Sequence, residues 1–170
     1  MPIDEMNTIL KDKECEVEWK VNSDIVFKEK EVCVESPTFS FEGADWYLAV
    51  WPNGHVYSGF SGYIDLDLSR RTSGPPMEVE FCFSLKNLNG RKDLEIRETR
   101  NFQDNCWNHF TDRFISKSEL ERRRNEFENF GFLTFVCTLR RIDSTESESK
   151  YCLYDGKNDM KYQMAFLSQP

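Results

Sequence analysis

Cys106 and His109 come nearest, by type and spacing, to a pair of side chains that could do chemistry. A cysteine beside a histidine can become a thiolate nucleophile, and Cys-x-x-His is half of a common zinc-ligand pattern. Neither reading is completed by its surroundings. A structural zinc site needs four ligands, and no second pair with short spacing follows; His55, the other histidine, sits in the Asn53-Gly54-His55 turn. A nucleophile also wants an oxyanion hole, and no glycine stands beside Cys106. A Gly-rich phosphate loop is missing as well. The residues predict no catalysis, no metal and no cofactor.

The elements that would position such residues are short strands. Cys15, Val17, Trp19 and Val21 alternate with Glu14, Glu16, Glu18 and Lys20, the period-two pattern of a strand with one buried face. Ile25 to Phe27 and Val32 to Val34 read as further β-like stretches. The run 46–51 is a continuous apolar strand, stopped by Pro52-Asn53-Gly54, which supplies the fixed and positive φ angles of a tight turn. Along 63–68, Ile64, Leu66 and Leu68 share one face, while Tyr63, Asp65 and Asp67 share the other. Val79, Phe81, Phe83 and Leu85 alternate with polar residues up to Asn89-Gly90, a strong hairpin signal, and 94–99 is the return strand. Leu133, Phe135, Cys137 and Leu139 repeat the pattern. Seven or eight such strands predict an antiparallel β-sandwich. One segment departs from it: Ser118 and Glu121 have capping-box spacing, which predicts a single surface helix running through Glu128. Leu120 and Phe127 form its apolar side, and acids surround Arg122-Arg123-Arg124 as on a solvated helix.

Composition narrows the function classes. With 170 residues the chain has room for one domain and a surplus. Its net charge of −8 argues against a nucleic-acid or anionic-membrane surface, both of which call for a basic footprint. No apolar run approaches the ~20 residues that a bilayer span requires. The first residues, Met1-Pro2-Ile3-Asp4-Glu5, lack a basic start and an apolar stretch, so they do not read as a secretory signal. That places the chain in the cytoplasm or nucleus, with its six cysteines as reduced thiols. The 14 phenylalanines, four tryptophans and six tyrosines predict an aromatic core.

Taken in order, several pieces resemble one family. They are Val17-Glu18-Trp19-Lys20-Val21; Ser36-Pro37-Thr38-Phe39 followed by Gly43, Trp46 and Leu48; Pro52-Asn53-Gly54; 62–68; 81–85 with Asn89-Gly90; Trp107 with Phe114-Ile115; and 133–137. Together they are similar to the MATH domain, the meprin and TRAF homology fold, and most of all to the speckle-type POZ protein group. The resemblance covers residues 13–143. It leaves 1–12 as an N-terminal extension and 144–170 as a linker and C-terminal tail. It implies an all-β, eight-stranded antiparallel sandwich and no catalysis, to which the residues add one short surface helix. Members capture short extended peptides of partner proteins in a shallow groove. In the speckle-type POZ group, a BTB/POZ domain then recruits a cullin-based ubiquitin ligase. This chain has no room for a BTB domain before Pro170, so the expectation is either a fragment of such an adaptor or a MATH-only protein. The alternative is a TRAF-like signalling scaffold without a ligase role, although 1–11 is too short and aperiodic for the coiled coil that precedes the domain in that class.

Carried over position by position, the resemblance implies a peptide-binding set of Asp67, Phe81, Arg100, Asn105, Cys106, Trp107, Asn108, His109 and Phe110. Several of these depart from the group's pattern. Asp67 and Arg100 stand where it has tyrosines, and Asn105-Cys106 where it has Lys-Asp. Two extra residues separate Trp107 from Phe114. A groove so altered implies a motif with polar or charged side chains opposite Asp67 and Arg100. By alternation alone, Phe81 shares the core face of Phe83 and Leu85, and Asp65 and Asp67 are solvent-facing strand acids.

Overall fold

The structure is a computed structural model that describes residues 5–11, 13–28, 33–55, 61–103 and 109–143. The described residues are mostly β, and every strand pairing among them is antiparallel. One sheet runs in the order β1 (Met6–Lys11), β2 (Glu14–Asn22), β10 (Phe132–Arg141), β7 (Met77–Lys86), β8 (Lys92–Phe102). The second runs β3 (Val34–Glu35), β5 (Ala44–Trp51), β6 (Tyr63–Arg70), β9 (His109–Ser116), with β4 (Phe39–Phe41) also paired to β5. These ten strands exceed the eight expected. The additional ones are short or peripheral, and β1 carries the first sheet into the stretch expected to be an extension.

Alternation places the core. Cys15, Val17, Trp19 and Val21 are all fully buried, as are Leu133, Cys137 and Leu139 on the neighbouring strand. Rings from the two sheets meet there. Trp46 of β5 packs edge-on against Phe102 of β8 at 4.9 Å, and Phe114 of β9 lies 6.4 Å from Phe135 of β10. Trp46 also donates its indole N–H to the Phe41 carbonyl at 3.0 Å, so its polar edge is satisfied inside an apolar setting. Each such ring contributes ~1.5–3 kcal/mol of burial.

Three local expectations change. Ile25 to Phe27 lie in a helix, α1 (Ser23–Lys28), rather than a strand. Asn22 Oδ1 accepts from the Asp24 N–H at 2.9 Å and Lys28 pairs with Asp24 one turn on, so capping and an i,i+4 pair outweigh the apolar run. The later helix is capped by Ser116, whose Oγ accepts from the Glu119 N–H at 3.1 Å, and not by Ser118. It breaks at Arg123 into α2 (Lys117–Arg122) and α3 (Arg124–Phe127), with Leu120 and Phe127 buried as expected. Arg122, Arg123 and Arg124 are paired with Glu119, Glu126 and Glu128. The hairpin after β7 is longer than a two-residue turn. Asn87 Oδ1 accepts from the N–H groups of Asn89 and Arg91, and only Gly90 takes a positive φ, of 76°.

Candidate functional site

The second sheet has one face in the core and one turned away from it, and the outward face is unusual. Along β5 and β6, Leu48, Val50, Leu66 and Leu68 point inward. Tyr47, Ala49, Trp51, Asp65, Asp67 and Ser69 alternate with them and point outward. The register sets these residues in rungs: Tyr47 opposite Ser69, Ala49 opposite Asp67, Trp51 opposite Asp65. Glu35 of β3 pairs with Ala49, and Phe110 of β9 pairs with Asp67. The central rung therefore reads Glu35, Ala49, Asp67, Phe110 across four strands.

Outward does not mean solvated here. Asp65 is 0% exposed and Asp67 2%, which overturns the expectation that both are solvent-facing acids. A strand pattern reports which face a residue takes but cannot report whether that face is covered. The two acids then have opposite fates. Asp65 is fully engaged, its carboxylate accepting from the backbone N–H of His55 at 2.7 Å and of Arg113 at 2.7 Å. The Arg113 N–H is released by a bulge. Ile64 faces Ile115 and Leu66 faces Thr111, so Asp65 alone stands against three residues of β9, with Arg113 at φ 55°. The carboxylate replaces the ladder partner that the bulge removes. His55 is pinned beside it, its ring edge-on to Trp51 at 4.4 Å, and burial pushes its pKa down.

Asp67 is left short of partners. Its Oδ2 accepts from the Ser69 hydroxyl at 3.2 Å, while its buried Oδ1 has no hydrogen-bond partner among the described residues. Desolvation, opposed by Ser69 and reinforced by Glu35, raises its pKa from 3.8 to about 7. Cys33, next to the same rung, is pushed up to about 12 by burial and by Glu35 and Asp67, so its thiol stays protonated and unreactive. One rung away, the buried Trp51 indole N–H is likewise without an acceptor among the described residues. Adjacent strands thus hold an unspent acceptor and an unspent donor on one face.

The rim is cationic and aromatic. The Arg71 guanidinium lies 4.4 Å from the centroid of the Tyr47 ring and pairs with Glu35 at 3.1 Å.

The expected peptide-binding residues scatter relative to this face. Asp67 is at its centre. His109 and Phe110 belong to β9 beside it by backbone pairing with Leu68 and Asp67; their side chains lie outside the described set. Asn105, Cys106, Trp107 and Asn108 lie outside the described residues. Phe81 is corrected: it is 1% exposed, in ring contact with Phe83 and Phe102, because its strand turns that face to the core. Arg100 stands on β8 of the other sheet, paired with Glu98 at 2.5 Å. The sequence reading missed Tyr47, Ala49, Trp51, Ser69, Arg71 and Glu35 as parts of this face. The odd-numbered alternation through 47–51 could have found three of them, but the apolar run hid it.

No group of three or more His, Cys, Asp or Glu suited to a metal occurs among the described residues, and none of their helices is long and apolar enough to cross a membrane. Cys15, Cys33, Cys82 and Cys137 are unpaired thiols. No protein-family model and no curated protein matches the chain.

Proposed function

We propose that this chain is a peptide-capturing module with a MATH-like β-sandwich, serving as the substrate-recognition part of a cullin-based ubiquitin ligase adaptor. The observation that carries the binding reading is the outward face of the second sheet. Asp67 Oδ1 and the Trp51 indole N–H are buried there and unpartnered among the described residues. An extended peptide brings donors and acceptors on its backbone and side chains, which can satisfy an idle acceptor and an idle donor one rung apart once the groups covering them part. The bulge opposite Asp65 reconciles one departure from the resembled pattern with the family reading. It gives a place to two residues beyond regular pairing in β9, and two is the excess over the resembled pattern between Trp107 and Phe114.

The test is binding of a positional-scanning library of extended nonapeptides to the full chain, read by fluorescence polarisation. Saturable binding to some pools is expected. Tyr47→Ala and Trp107→Ala should weaken it while the melting temperature changes little. Absence of binding to every pool would overturn the reading. Binding untouched by both substitutions would move the groove elsewhere. The ligase role predicts that the complete gene product, tagged, co-precipitates a cullin scaffold; failure to do so would leave the module without that role.

A further inference from the structure

We propose that the Glu35–Ala49–Asp67 rung is a pocket for a cationic side chain, arginine before lysine, of the captured peptide. The inference rests on the peptide-capture reading and names the chemistry of its ligand. Three features of the rung carry it. Glu35 and Asp67 flank Ala49 on the same face, with backbones roughly 10 Å apart at two strand spacings. Ala49, itself only 2% exposed, sets nothing larger than a methyl between the two carboxyl groups, so no bulky side chain of the sheet separates them. Asp67 brings a buried oxygen with no donor among the described residues. That vacancy costs free energy until a donor arrives, and a guanidinium supplies charge-assisted donors in the fork geometry that carboxylates accept.

The protein already shows the recognition on its rim. Arg71 stacks over Tyr47 at 4.4 Å and pairs with Glu35 at 3.1 Å, so an aromatic face and one of the two acids are arranged to hold a guanidinium. About half of each side chain of that pair is exposed (50% for Arg71, 52% for Glu35), where ion pairs are weak. A partner arginine can displace Arg71 and reach what Arg71 does not, the idle oxygen of Asp67. Arg71 is then a resident competitor. Its removal should strengthen capture of basic peptides, whereas removal of either acid should weaken it. Because the Asp67 oxygen is closed to water, the rim must part for the guanidinium, which favours a long, unbranched side chain.

The experiment is the same nonapeptide library on the full chain at pH 8, compared across the wild type, Asp67→Asn, Glu35→Gln and Arg71→Gln. The expected result is enrichment of arginine, then lysine, at one position. Both acid-to-amide variants should reduce that enrichment roughly tenfold, the ratio expected for one charge-assisted bond, and Arg71→Gln should raise it. If Asp67→Asn does not fold, the exposed Glu35→Gln carries the test with Arg71→Gln. Peptide binding without a basic preference would overturn the pocket and leave peptide capture standing. A basic preference indifferent to these variants would overturn it too. No peptide binding at all would overturn both.

Discussion

Replacing Asp67 by Asn should change how the stability of this protein depends on pH. Asp67 has its pKa raised from 3.8 to about 7 by burial, with Glu35 adding to the rise. Between those values the folded protein holds a proton that the unfolded chain has released. Stability contributed by the protonated acid is therefore fully present below about pH 4 and lost as pH climbs through about 7. At 1.36 kcal/mol per pH unit, the gap corresponds to about 4 kcal/mol in full. Asparagine has the same shape, can still accept from Ser69, and never ionises. The variant should match the wild type near pH 4 and become progressively more stable than it toward pH 8.5. The difference should approach about 4 kcal/mol, or about 10 °C in Tm for a domain of this size. Urea unfolding of both proteins at intervals from pH 4 to 8.5 measures it, because groups common to both cancel in the difference. A constant difference across that range would refute the reasoning. It would mean that Asp67 ionises in the folded protein as easily as in water.

Asp65→Ala should cost about 3–5 kcal/mol, since two backbone N–H groups lose a charged acceptor; hydrogen exchange should show the amides of His55 and Arg113 losing protection together. Phe81→Ala should destabilise by ~3–5 kcal/mol and leave the peptide affinity of the folded fraction unchanged, as a core residue and not a groove residue would; a selective loss of affinity would restore it to the groove. Ser116→Ala should cost ~1 kcal/mol through loss of the helix cap, whereas Ser118→Ala should stay within ~0.5 kcal/mol, as chemical denaturation would show.

The alternating segments were legible because a strand has only two faces. Cys15 to Val21 and Leu133 to Leu139 announce their buried sides by composition alone, and the structure buries those sides. Short apolar runs were not legible in the same way. Ile25-Val26-Phe27 has no period, so the side-chain cap from Asn22 and the Asp24–Lys28 pair decide for a helix. Ser118 and Glu121 have the right spacing for a cap, but so do Ser116 and Glu119, and the strand ending at Ser116 decides between them.

For the candidate site, the sequence by itself determined the all-β pattern and put Asp65 and Asp67 on the face opposite Leu66 and Leu68. Period-two geometry requires no more than that. Which outward residues are covered, and which of the two acids finds its donors, was decided only in three dimensions. A bulge in β9 turns the Arg113 N–H toward Asp65, and the 53–55 turn brings in that of His55. One strand step further on, the register offers Asp67 the hydroxyl of Ser69 on one oxygen and no described donor on the other. The difference between a satisfied structural acid and an idle one lies in long-range pairing, which residue order within a single strand does not encode.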